Sequence, residues 1–142
     1  MSKLLGLLLC LAGSAGAAEQ PAITRVDVFV SDATPVAAGA ESVALAKQGK
    51  LSLWNLDDLE RLHQKLGAGL PRDQSAAVKL VAQRAASLST EDQVLLNKAA
   101  NGRARADGFK IERVPAVLIN EAHVYYGARS IEMALDAYRS GK

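Results

Sequence analysis

Cysteine is almost absent: of 142 residues only Cys10 carries a thiol, and it lies inside the apolar stretch Leu4 to Leu11. Thiol–disulfide exchange needs a thiolate nucleophile, usually with a resolving partner. A chain processed beyond Cys10 has neither, so composition excludes that chemistry whatever the fold. It excludes disulfide staples as well, and a small exported protein without them depends on a good core. Histidine is nearly as sparse. His63 and His123 are the two present, and neither has an i, i+4 histidine or a glutamate at ligand spacing. Charge of one sign is lacking too: the formal net charge is +2 with a pI near 8.8, too mild to argue for nucleic acid or an anionic membrane surface. No glycine-rich phosphate loop is present.

What is there begins with a leader. Lys3 gives a short positive region, Leu4 to Leu11 an apolar one, and Ala15-Gly16-Ala17-Ala18 a small-residue exit. Residues 1–18 read as a secretory signal peptide, too short to span a bilayer stably. Leu7-Leu8-Leu9 before Cys10 lacks the small residues of a lipidation site. Cleavage after Ala18, or one residue earlier, leaves a periplasmic chain with no stable membrane anchor. Intact mass of the exported protein should show a start near Glu19; a lipid-modified species beginning at Cys10 would overturn both expectations. The remainder, 19–142, has a one-domain length with no repeat, low-complexity tract or linker. Hydrophobic residues make up 49% of the whole chain and mean hydropathy is +0.05, enough for a core.

In order, Ile23 to Ser31 reads as a first strand. Thr24, Val26, Val28 and Val30 alternate with Arg25, Asp27 and Phe29 at period 2. It stops at Ser31-Asp32-Ala33-Thr34-Pro35, a turn or helix-start cluster. A helix over Ala37 to Lys47 follows, weakened by Gly39 by about 1 kcal/mol relative to alanine. Leu51 to Leu56 is a second alternating strand, and Asp57 and Asp58 suit the N-terminus of a helix carrying Leu59, Leu62 and Leu66. After Gly69-Leu70-Pro71 another helix starts at Pro71 or Arg72, with an apolar face of Ala76, Val78, Leu80 and Val81. Thr90 with Gln93 three positions on reads as a capping box. The next helix puts Leu95, Ala99, Gly102 and Ala106 on one stripe, small enough for its backbone to approach a sheet closely. Val114-Pro115 to Tyr126 is then a hairpin broken by Asn120-Glu121, with Pro115 at the start of its strand or at an edge. A last helix has Ile131, Ala134, Leu135 and Tyr138 on one face. The order β, α, β, two or three helices, β, β, α predicts an α/β fold. Its mixed four-stranded sheet is flanked by helices, with extra helices inserted between strands two and three.

Other polar candidates have plain explanations. Asp57, Asp58 and Glu60 are accounted for by helix-start electrostatics, and Ser31 and Thr34, which have no assignable base, by capping. Arg103, Arg105, Lys110 and Arg113 form a basic run without aromatic interleaving, read as a solvated helix face. Trp54, Tyr125 and Tyr126 are read as sheet packing.

Taken together, the leader, Val26-Asp-Val-Phe-Val-Ser-Asp32 with Pro35, Gly69-Leu-Pro71, Ala99-Ala-Asn-Gly102, Ala106-Asp-Gly108, Val114-Pro-Ala-Val117 and Val124-Tyr-Tyr-Gly127 carry a resemblance. The chain resembles the small exported thioredoxin-like proteins of integrating conjugative elements and conjugal transfer regions. These are similar in kind to pilus-assembly proteins of F-type conjugation systems. The resemblance implies a thioredoxin-like fold without its Cys-x-x-Cys motif, and a cis bond at Val114-Pro115 beside the loop Ser31, Asp32, Thr34, Pro35. It implies a non-catalytic accessory of a conjugative type IV secretion apparatus, with other transfer components as partners. No catalytic residue, metal or cofactor is carried over, and neither direct nucleic-acid binding nor a small-molecule substrate is expected. Two rivals stay open. One is a non-redox chaperone or peptide binder that adds a strand in the groove beside Val114-Pro115. The other is an enzyme for which no nucleophile–base pair can be named.

Overall fold

The computed structural model describes residues 21–142; the expected leader, 1–18 with Cys10, lies outside them. β1 (Val26–Val30), α1 (Ala40–Lys47) and β2 (Leu51–Asn55) are followed by three helices, α2 (Asp58–Gly67), α3 (Gln74–Ala86) and α4 (Thr90–Gly108). β3 (Ala116–Ile119), β4 (His123–Tyr126) and α5 (Ile131–Arg139) complete the chain. The sheet is open and mixed, in the order β2-β1-β3-β4. β1 and β2 are parallel, and β3 is antiparallel to both β1 and β4. Five helices occur among the described residues: α1 and α5 pack on one face of the sheet and α4 on the other, while α2 packs against α4 and α3 against α2. Among the described residues no helix is long and apolar enough to cross a membrane.

The two faces have separate cores. Val26, Val28 and Val30 pack with Val117 and Ile119 against Leu45 of α1 and Ile131, Ala134 and Leu135 of α5. On the opposite face Phe29, Ala116 and Leu118 pack against Ala106 of α4, with Trp54, Leu56 and Val114 around them. β1 is therefore covered on both sides, and all five of its residues are buried. The period-2 pattern sorts Val26, Val28 and Val30 onto one face and Asp27 and Phe29 onto the other, and both faces are buried. A central strand between two helical layers has no solvent side.

Other expectations shift at the element ends. β1 is shorter than Ile23 to Ser31, because Thr24 and Arg25 donate their N–H groups to the Asn120 side chain, at 2.8 and 3.2 Å. Gly39 is the N-cap of α1, not an interior position, so its helix penalty does not apply. Its N–H donates to Glu132 Oε1 at 2.8 Å, which ties α1 to α5. α3 begins at Gln74, where Asp73 accepts from the Ala76 N–H. Its expected apolar face is not buried: Val78 is 62% exposed and no α3 residue is in the core. Arg84 holds α3 to the end of α2 by donating to the Leu66 and Ala68 carbonyls. The cap of α4 is Ser89, one residue before Thr90: its Oγ accepts from the Asp92 N–H. Gln93 instead reaches the Leu88 carbonyl. Pro115 precedes its strand, which opens at Ala116, and His123 is the first residue of β4.

The small stripe of α4 is as expected, with Ala99, Gly102 and Ala106 buried. A Cβ on Gly102 would sit 3.0 Å from Trp54 Cε3 and 3.1 Å from its Cβ. Alanine's helix preference, about 1 kcal/mol, opposes that crowding, but a branched side chain has no room. Gly102→Val is expected to lower stability by about 3 kcal/mol, measured as a urea midpoint at unchanged slope.

Candidate functional site

The residues singled out from the sequence converge at one end of β1 and β3. Phe29 pairs with Ala116, and extending that antiparallel register by two residues brings Ser31 opposite Val114. The Val114-Pro115 bond is cis, and the Pro115 carbonyl accepts from the Gly127 N–H at 3.0 Å. Val114 and Pro115 are half-buried. Among the described residues, no hydrogen bond is made by the main chain of Arg113 or Val114. Beside them lies a recess of about 230 Å³ between the β2 end and α4, lined by Leu56, Ala106, Ile111 and Val114 with Arg103 and Arg113 at the rim.

The facing loop is held by its own polar groups. Ser31 Oγ and Thr34 Oγ1 share a hydrogen bond of 2.7 Å, and the Thr34 N–H donates to the Ser31 carbonyl at 3.1 Å. These hydroxyls stabilise the turn rather than cap α1, which begins at Ala40. Asp32 is tied outward: its N–H donates to Asp57 at 2.8 Å, and its carboxylate accepts from Asn55 at 2.7 Å and from Arg61. Those hydrogen bonds from Arg61 and Asn55 hold its carboxyl below the usual range, and the Arg61 charge adds to them. Arg61 also donates to Asp58. Asp57 and Asp58 therefore serve both the start of α2 and the anchoring of this loop. Pro35 is exposed and takes no part in the network. Among the described residues no cluster of three metal-ligating side chains occurs. His63 is exposed on α2, and exposed His123 stacks edge-on against Tyr138 at 5.2 Å.

A second polar centre, missed from the sequence, lies at the other end of β1. Asp27 is 0% exposed. Its carboxylate accepts from Arg25 Nε at 2.9 Å, Trp54 Nε1 at 2.8 Å, and Arg105 Nε and Nη2 at 3.1 and 2.6 Å. Burial raises its pKa, but hydrogen bonds from Arg25, Arg105 and Trp54, with the Arg105 charge, outweigh that and hold it below the usual range. Arg105 also donates to Glu121 at 2.9 Å and lies over the Phe109 ring. Arg105 is thus drawn out of the expected solvated face. Arg103 pairs with Asp107 along the helix, and Arg113 covers Tyr126. Trp54 is more than sheet packing, since its N–H is committed to Asp27. An open recess of about 480 Å³ above this centre is lined by Arg25, Trp54, Arg105 and Phe109. Its two arginines are balanced by Asp27 and Glu121, so it presents no net charge to a ligand.

The family model described as a protein of unknown function, DUF1525, matches residues 32–141. The chain belongs to that family. The DUF1525 match takes in the Ser31–Pro35 loop from Asp32 onward, α1 to α5, and the Val114-Pro115 segment, but stops short of Asp27. No curated protein and no solved structure matches the chain.

Proposed function

We propose that this DUF1525 protein is a thioredoxin-like, non-catalytic periplasmic accessory of a conjugative transfer apparatus, acting through protein–protein contacts. The observation that carries the reading is the sheet: order β2-β1-β3-β4, with β3 antiparallel to both neighbours and Val114-Pro115 leading into it. That arrangement supports the thioredoxin-like fold that the sequence resemblance implies. In place of a thiol pair, the loop facing Val114 holds the Ser31 and Thr34 hydroxyls, hydrogen-bonded to each other. Disulfide exchange proceeds through a thiolate and a mixed disulfide, a part that hydroxyls cannot take.

Deleting the gene from a donor should reduce DNA transfer to the level of a donor lacking the apparatus, and affinity purification of the exported protein should bring down transfer components. Normal transfer from the deleted donor would sink the proposal. The exported protein should also be inert in insulin reduction and in refolding of scrambled disulfides. Activity in either assay would contradict the non-catalytic part.

A second reading, a peptide-binding protein, is favoured by the free main chain of Arg113 and Val114 beside a recess that sets Leu56, Ile111 and Val114 next to the charged Arg103, Asp107, Glu112 and Arg113. An extended segment can pair with such main-chain groups by strand addition. Protection of the Arg113 and Val114 amides from hydrogen exchange on adding unfolded client would support it, and unchanged exchange would remove it.

A further inference from the structure

We infer that β2 is a self-pairing edge: two copies of this chain join β2 to β2 antiparallel, about a two-fold axis at Leu53, into one continuous sheet. The geometry starts from the ladder with β1. Lys50 C=O accepts from the Val26 N–H at 2.7 Å, and Leu56 N–H donates to the Val30 carbonyl at 2.9 Å. Main-chain groups alternate sides along a strand, so Leu51, Leu53 and Asn55 turn theirs away from β1, toward the open edge.

Protein edges are normally blunted by charge, proline, a bulge or a cover. Leu51-Ser52-Leu53-Trp54-Asn55 contains no charge and no proline and pairs with β1 in unbroken register. At the opposite edge, β4, a charge stands close by: the Arg113 guanidinium lies over Tyr126, whose hydroxyl accepts from the Glu112 N–H. Among the described residues, Leu53 is the only large apolar strand residue left exposed, at 46%. A second copy is the occupant that fits. With Leu53 facing Leu53, the exposed leucines cover each other, Leu51 meets Asn55, and Ser52 meets Trp54. The strand is preceded by Lys50, exposed and without an ion pair among the described residues, and followed by Asp57 and Asp58. Antiparallel pairing brings each Lys50 to Leu56 and the adjacent Asp57 of the second copy, whereas parallel pairing would set like charges together. Val43, also exposed, lies on α1 over the same sheet face as Leu53.

Sedimentation equilibrium of the purified exported protein is expected to give a dimer. Leu53→Lys and Leu53→Glu, each placing like charges across the axis, should separately be monomers. Mixed in equal amounts they should recover a dimer containing one of each. A wild-type monomer at all concentrations up to about 1 mM, the weak limit of specific association, would overturn the inference and leave the edge to an extended client. A dimer indifferent to both charges would overturn it as well, by placing the interface elsewhere. Should the charged variants fail to fold, Leu53→Cys supplies the answer, since the exported chain, starting near Glu19, carries no other thiol. Directly opposed residues that exchange hydrogen bonds have Cα atoms about 5.5 Å apart, within disulfide reach. Oxidation should then cross-link the protein into covalent dimers, and its failure to do so would refute the pairing.

Discussion

Asp27→Ala is expected to lower the stability of this protein by about 3 kcal/mol, the lower end of the range for breaking a buried ion pair. The lower end applies because the arginine heads are partly hydrated and Arg105 keeps Glu121. What remains is an indole N–H with no acceptor and a guanidinium that has lost its closest carboxylate. Replacing both charges, as Asp27→Leu with Arg105→Met, should destabilise less than Asp27→Ala alone. The buried charge is then removed along with its partner. The pH dependence has a definite sign. The folded Asp27 carboxyl lies below its usual range, against about 3.9 when unfolded. Its contribution is therefore fully present above pH 4 and is lost as pH falls through the folded value. Asp32, Glu41, Asp92 and Glu132 are also lowered and steepen acid unfolding in wild type and variant alike. The difference between the two curves isolates Asp27. Urea midpoints from pH 7 to 2 should converge on the acid side, and a gap that stays constant would show that the carboxylate's charge is not what stabilises.

The centre around Asp27 shows where the sequence ceases to be readable. Period-2 alternation in β1 is a sound signal for a strand, yet it leaves the burial of Asp27 open, because alternation cannot tell an edge strand from one covered twice. Its partners stand 2 residues before, 27 after and 78 after in the chain, and nothing local links them. The same limit explains Arg105, whose run of basic neighbours looked like a solvated face until α4 was laid across β1. Short-range features were legible for the opposite reason. The hairpin turn is fixed by Asn120 and Glu121, both at positive φ (52° and 57°), a conformation that asparagine tolerates well. The stripe Ala99, Gly102, Ala106 announced close helix–sheet contact because small size at helical spacing has few other uses. At Ser89-Thr90 the two hydroxyl residues compete for one cap, and spacing to Gln93 picked the wrong one. In the candidate site, Val114, Pro115, Ser31 and Thr34 are singled out by the resemblance, and the structure brings them together at one end of β1 and β3. The Asp32–Arg61 tie, made across the start of α2, is not legible in the chain.

Phe29→Ala should have the larger effect, about 4 kcal/mol, within the range for emptying an aromatic from a core. Phe29 is the largest of the fully buried side chains among the described residues and packs with Ala106, Ala116 and Leu118 on the α4 face. Its neighbours are ill-suited to refill the space. Two of the three are alanines, and Trp54 is held by its hydrogen bond to Asp27 and by the close approach of Gly102. A loss of that size is a large share of the 5–15 kcal/mol that holds a typical domain together. The consequence extends to the candidate site, because Ile111 and Val114 pack against the same cluster. Besides a lower urea midpoint, hydrogen exchange in Phe29→Ala should accelerate at the Ile111 and Ala116 amides more than at those of α5, which rests on the other face. Leu135→Ala, an equally buried change in the α5-face cluster, should show the reverse pattern at about 3 kcal/mol. Equal acceleration on both faces in both variants would mean that the two cores open as one unit. The geometry of the Val114 segment could then not be tuned from the α4 side alone.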